Sequence, residues 1–210
     1  MKLTGFSKTV LILTIVKGIF VTSLILSLVL WSIPVLSFNS GIWLLFQERS
    51  GVLLGPENLK TYNELIVEFF RTGLRVGFLN ERELSHMEDV RNVISIANLL
   101  FAFSFISLIS GFSYFSKHEK RFLLQAIRKS SLAVFVIALV LSIVILVDFN
   151  AAFFSFHEIF FVRNFIFPAD NLLKILYPDE FFQGLSAFYL LSIMVVSLVV
   201  AVISHKLKLK

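Results

Sequence analysis

The chain contains no cysteine. That absence excludes a thiolate nucleophile, a disulfide framework, a thioester-forming acyltransferase and a lipid-anchored cysteine. A second absence is regional. Residues 18–47, 92–116, 130–147 and 181–204 hold no Asp, Glu, Lys or Arg. The shortest of these runs is 18 residues, still long enough to cross a hydrocarbon core of roughly 30 Å. The runs are continuous and do not alternate, which rules out a membrane β-barrel. The lack of Asp, Glu, Lys and Arg inside the spans argues against an ion or proton pathway through the bilayer and leaves polar chemistry to the outer membrane surface.

What is present agrees with this. The chain is 57% hydrophobic with 25 Phe among 210 residues, and its mean hydropathy of +0.87 exceeds that of soluble domains. The expected fold is an all-α integral membrane protein with four transmembrane helices. Lys2, Lys8, Lys17, the residues 117–129 and the tail together carry eleven basic residues against one acid, Glu119. The other side carries eight basic residues and thirteen acids. The positive-inside rule then puts both termini and the 117–129 loop in the cytoplasm. Two outer segments form a small extracytoplasmic domain. The net charge of +5 therefore reads as membrane orientation, with no nucleic-acid binding implied.

Along the chain the spans are expected at about 9–37, 92–116, 130–147 and 181–204. The outer segments are 38–91 and 148–180, and the cytoplasmic loop is 117–129. The first span is too long for a signal-peptide core and reads as an uncleaved anchor. Pro34, followed by Asn39 and Gly41, ends or kinks it. The apolar stretch after Gly41 either re-enters the leaflet or packs under the outer domain, and the sequence leaves both open. Residues 61–75 read as an amphipathic helix, with Thr61 and Glu64 as a capping box. Its apolar face meets either the membrane surface or the outer domain. Gly77 and Asn80 end that helix, and from Asn80 a long helix runs without Gly or Pro through His86 to Ser110. Ser104, Ser107, Ser110, Gly111 and Ser113 form a small-residue strip suited to helix packing.

Two of the four histidines fall in separate outer segments. His157 sits in a phenylalanine-rich stretch. If that stretch is helical, Phe153, Phe154, Phe160 and Phe161 lie three or four residues away and share its face. Burial there disfavours imidazolium and holds a neutral base. His86 precedes the second uncharged run by six residues, or roughly 9 Å of helix. Glu88 and Asp89 flank it, with Asp89 spaced to hold the second ring nitrogen. Asp148 and Glu158 flank His157. His118 and His205, beside the basic segments, read as solvated. Three chemistries compete for such a pair. A metal site with two histidines and a carboxylate lacks any His-Glu-x-x-His spacing. A serine hydrolase lacks the Gly-x-Ser-x-Gly elbow. Histidine activation of a nucleophile supplied by the substrate demands least of the protein.

Glu83-Leu-Ser-His-Met-Glu-Asp-Val-Arg91, Phe156-His-Glu-Ile-Phe-Phe161 and Tyr177-Pro-Asp-Glu-Phe-Phe182 give the chain a resemblance to the bacterial lipoprotein intramolecular transacylases. In layout the resemblance spans nearly the whole chain. It implies a monomeric enzyme of the bacterial plasma membrane, in contact with membrane lipids, with its active site on the extracytoplasmic side. No cofactor or metal is implied. The implied substrate is a diacylglyceryl-modified lipoprotein, whose sn-2 acyl chain moves to the α-amino group of its own N-terminal cysteine. His157 is then the expected general base. His86, oriented by Asp89, is its partner at the oxyanion or in proton transfer, with Glu158 and Asp148 in support. Phe153, Phe154, Phe160 and Phe161 are expected to line the acyl-chain pocket. A non-catalytic scaffold and a lipid or lipoprotein ester hydrolase are the alternatives.

Overall fold

The structure, a computed structural model, describes residues 5–161 and 165–208. Lys2, Arg163 and Lys210, which entered the charge count, lie outside the described residues. The described residues contain no strand and form α1 (Gly5–Leu30), α2 (Ile33–Phe38), α3 (Ser40–Arg49), α4 (Pro56–Thr72), α5 (Glu81–His118), α6 (Lys120–Val147), α7 (Phe149–Phe160), α8 (Leu172–Leu176) and α9 (Asp179–Lys208). Among the described residues, four stretches are long and apolar enough to cross a membrane: Thr9–Phe38, Glu81–His118, Lys120–Val147 and Asp179–Leu207. The chain is an all-helical, multi-pass membrane protein.

Helix ends follow from local chemistry. Pro34 sits in the first turn of α2, where its missing N–H costs nothing, and the chain breaks between α1 and α2 at Trp31 and Ser32. α4 also starts on a proline, Pro56, after Gly55. The expected Thr61 cap is therefore wrong, because Thr61 lies inside α4 and its hydroxyl donates to the Glu57 carbonyl. Gly73 ends α4 with a left-handed φ of 78°, ahead of the expected Gly77. The true capping box opens α5. The Asn80 side chain accepts from the backbone N–H of Arg82 and Glu83, and the Glu83 carboxylate accepts from the Asn80 N–H at 2.7 Å.

The expected 117–129 loop is almost absent. Between α5 and α6 only Glu119 is non-helical. Residues 117–129 contain no Gly or Pro and are rich in helix formers, so nothing there stops the backbone from winding. The helices continue through the charged residues on either side of Glu119.

Packing divides the chain into two units. One comprises residues 1–31, 99–138 and 192–210. Its core is Phe20, Phe115, Leu123 and Ala126, with the Phe20 and Phe115 rings edge to face at 5.2 Å. A Cβ on Gly111 would come within 2.4 Å of the Phe20 ring, so only glycine admits that ring. Ser27 donates to Ser104 at 3.1 Å. Of the small-residue strip, Ser104 and Gly111 thus make the packing surface, whereas Ser110 and Ser113 are exposed. Ile106, Ile109 and Phe103 are exposed as well, as lipid-facing residues should be.

The other unit comprises residues 32–98 and 139–191. Its core gathers Trp43 and Phe46 of α3, Leu59, Ile66, Phe69 and Phe70 of α4, and Leu173 and Leu176 of α8. The stretch after Gly41 is thus a helix packed under α4. The apolar face of α4 is filled by protein, with Leu59, Ile66 and Phe69 each 1% exposed, and is not free to lie on a membrane. Within this core, Gln47 and Asn63 are fully buried. Asn63 donates to Gln47, Gln47 donates to Asn63 and to the Leu176 carbonyl, and the Tyr177 hydroxyl donates to Asn63. Such a fully satisfied network ties α3, α4 and α8 in one arrangement.

Candidate functional site

α7 delivers the first histidine. Asp148 caps it by accepting from the Ala151 N–H at 2.9 Å, and His157 falls in the last turn. The His157 Nδ1 lies 2.8 Å from the Phe153 carbonyl one turn back. A carbonyl can only accept, so Nδ1 carries the proton and Nε2 keeps the lone pair. Burial lowers the His157 pKa below the ordinary imidazole value, partly opposed by that carbonyl contact. The result is a neutral base with a fixed tautomer.

α5 delivers the second. The capping box at Asn80 and Glu83 fixes the start of the helix, and His86 follows on its second turn. The two imidazole centroids are 6.1 Å apart with planes 23° from parallel. Two imidazoles so close resist protonation together, because like charges would then face each other away from water. His86 Nδ1 is buried without a hydrogen-bond partner among the described residues.

An extended strap locks both rings. Phe165 lies 5.4 Å from His157 and Phe167 lies 5.4 Å from His86, with Ile166 pointing outward between them. Arg82 pins the strap by donating to the Ile166 carbonyl at 2.8 Å and by stacking over Phe167. Helical spacing from His157 does not reach this strap. Its signal is the Phe-Ile-Phe alternation, which in extended backbone puts both rings on one side.

Both histidines line one cavity of about 630 Å³, a size usual for small-ligand sites. Its walls are mostly hydrocarbon. Phe153, Phe154 and Phe161 line it, as does Phe156, which was not anticipated. Phe160 does not line it and is exposed. α7 ends at Phe160, and the extended backbone at Phe161 turns that ring to the cavity instead. The three carboxylates expected in support are also elsewhere. Asp89 is half-buried and leaves His86 Nδ1 unpartnered, Asp148 is spent as a helix cap, and Glu158 is exposed. An unpaired carboxylate favours water over a greasy wall, so adjacency in sequence did not become adjacency in space. Among the described residues no three of His, Cys, Asp and Glu gather as a metal site.

Lys174 and Asp179, which spacing did not single out, are in the wall instead, joined as an ion pair. Tyr177 is in the wall as well, with Ser37, Asn150 and Ser186. Burial pushes its phenol far above the usual range, and its hydroxyl is occupied by Asn63. The arrangement offers an oriented neutral base, a second imidazole, one ion pair and a large apolar volume, a combination suited to moving a proton beside a lipid chain.

Comparison with known proteins identifies the family and the fold. A family model described as lipoprotein intramolecular transacylase Lit matches residues 6–182. The in meso structure of the membrane-integral lipoprotein intramolecular transacylase from Bacillus cereus is similar at a TM-score of 0.81 and 14% identity, covering 92% of this chain and 94% of that one. Structures of two of its variants, a histidine replaced by arginine or by alanine, give TM-scores of 0.74 and 0.73 at the same identity. Each covers 92% of this chain, and 91% and 92% of the respective variant chains. No match was found among curated proteins.

Proposed function

The chain belongs to the lipoprotein intramolecular transacylase family, and we propose that it moves the sn-2 acyl chain of a diacylglyceryl-modified lipoprotein onto the α-amine of that protein's N-terminal cysteine. The observation that carries this reading is the pairing of His157 and His86 in an apolar cavity, with the His157 Nδ1 engaged by the Phe153 carbonyl so that Nε2 carries the lone pair.

The α-amine has a reference pKa near 8, so at neutral pH it is mostly ammonium and needs a base. His157 Nε2 takes its proton. The freed amine attacks the sn-2 ester carbonyl, forming the C–N bond, and His86 donates to the developing oxyanion. Collapse breaks the ester C–O bond. The proton returned by His157 goes to the glyceryl oxygen, and the proton lost from nitrogen leaves to solvent. The products are an N-acyl cysteine and a lyso glyceryl group. Because donor and acceptor share one molecule, the protein mainly has to hold a medium-ring geometry, worth up to roughly 7–11 kcal/mol. Phe153, Phe154, Phe156 and Phe161 line the space for the acyl chain.

The charge asymmetry supports both termini and the Glu119 turn on the cytoplasmic side. Residues 38–91 and 148–180 then form the small outer domain, and the cavity, built from them and the adjoining helix ends, faces the extracytoplasmic leaflet of the bacterial plasma membrane. A single chain supplies the whole site, so we infer a monomer. Mass spectrometry of lipoproteins from cells with and without the gene tests the reading. Transfer gives an acylated amino terminus and a lyso glycerol. A free amine with a lyso glycerol would mean hydrolysis, and unchanged lipoproteins would mean a scaffold.

A further inference from the structure

We propose that Asp179 seats the substrate's α-ammonium group, which takes the place of Lys174 on that carboxylate. The assignment rests on the transacylase reading, in which the attacking group enters as a cation. A cation entering a hydrocarbon-walled cavity needs an acceptor there. Among the described residues that line the cavity, Asp179 is the only carboxylate and Lys174 the only fixed cation. The other titratable side chains facing that space are His86 from α5, His157 from α7 and Tyr177 between α8 and α9. Tyr177 is engaged by Asn63, and neither imidazole is an anion. Asp89, Asp148 and Glu158 are not in the wall.

The Lys174–Asp179 pair suits exchange. The two side chains are 32% and 40% exposed, so the pair is partly hydrated and weakly held. One ammonium replacing another conserves the local charge balance. With the cavity free, Lys174 keeps the carboxylate neutralised. The charges of both residues are felt at the His157 ring, so a cation seated on Asp179 is in the electrostatic neighbourhood of the proposed base. Asp179 thus binds the amine before it is deprotonated, and His157 removes the proton.

The test uses full-length protein in lipid nanodiscs and a dialkylglyceryl-cysteinyl lipopeptide, whose ether links cannot transfer. It is prepared with a free or an N-acetylated α-amine. Wild type should bind the free amine roughly tenfold more tightly at pH 7, and the preference should fade above about pH 8 as the amine loses its charge. D179N should lose the preference while binding the acetylated lipopeptide as before, and D179E should retain part of it. K174M, which also breaks the ion pair but keeps the carboxylate, should keep the preference in full. A preference that survives D179N, or that disappears equally in K174M, overturns the assignment. Wild type that N-acylates the ester lipopeptide without any amine preference overturns Asp179 alone. Wild type that neither acylates nor binds overturns the transacylase reading as well.

Discussion

His157 is held by its own helix: the Phe153 carbonyl fixes both the ring and its tautomer. Removing the ring in His157→Ala should lower the transfer rate by about 10²- to 10⁴-fold, the usual contribution of a positioned base, while the helical circular dichroism is unchanged. Equal rates for variant and wild type would take the base away from this position. The pH dependence has a definite sign. Burial lowers the His157 pKa below 6.5, so the neutral ring persists into mildly acidic solution, and the acid limb of kcat should fall with a midpoint under 6.5. The stability contribution runs the same way. It is complete above the unfolded value of 6.5 and is lost as pH falls through the lowered one. A midpoint above 6.5 in kcat would contradict the burial argument. Both histidines were legible in the sequence, since each stood in an outer segment, His157 among phenylalanines and His86 beside carboxylates. Their supports were not. Asp89, Asp148 and Glu158 are near in sequence, but a carboxylate's position is decided by where it can stay solvated or capped. Asp179 stood in one of the motifs that carry the resemblance, but that it and Lys174 face the cavity follows from tertiary folding, which their spacing does not record.

At the scale of elements, the terminators carry the geometry. Gly73 ends α4 at φ 78°, and an added Cβ would lie 3.0–3.1 Å from the Arg91 guanidinium. Arg91 in turn donates to the Phe70 carbonyl at 3.2 Å. Gly73→Ala should therefore cost about 1 kcal/mol or more from the left-handed backbone alone. It should lower the thermal midpoint of the detergent-solubilised protein, whereas Gly77→Ala, with open space around it, should be near neutral. Equal effects at the two glycines would refute this reading of the α4 terminus. The sequence showed an amphipathic helix here but not its start, because Pro56 and Gly55 form a better entrance than Thr61. It likewise showed apolar runs but not the winding of α5 and α6 on either side of Glu119, since charge reports solvent and not backbone shape.

For the whole molecule, the absence of cysteine makes orientation directly measurable. A single cysteine at Leu53, which is fully exposed, should react with a membrane-impermeant maleimide on intact spheroplasts. One at Lys120 should react only after the membrane is opened. The reverse pattern would invert the topology and put the cavity at the cytoplasmic leaflet. The four spans were evident from uncharged runs alone, because the bilayer imposes length and apolarity on any crossing helix. The cavity was not, because its walls come from segments more than 140 residues apart in the chain, from Leu36 to Ser186.

The buried Gln47–Asn63–Tyr177 network stands on both sides of the exposed turn at Leu53. A protease that cuts this turn severs the polypeptide but none of those bonds, and the flanking helices have apolar partners on each side of the cut. The nicked protein should consequently stay assembled and active, and the two fragments, produced separately in one membrane, become candidates to reconstitute the enzyme.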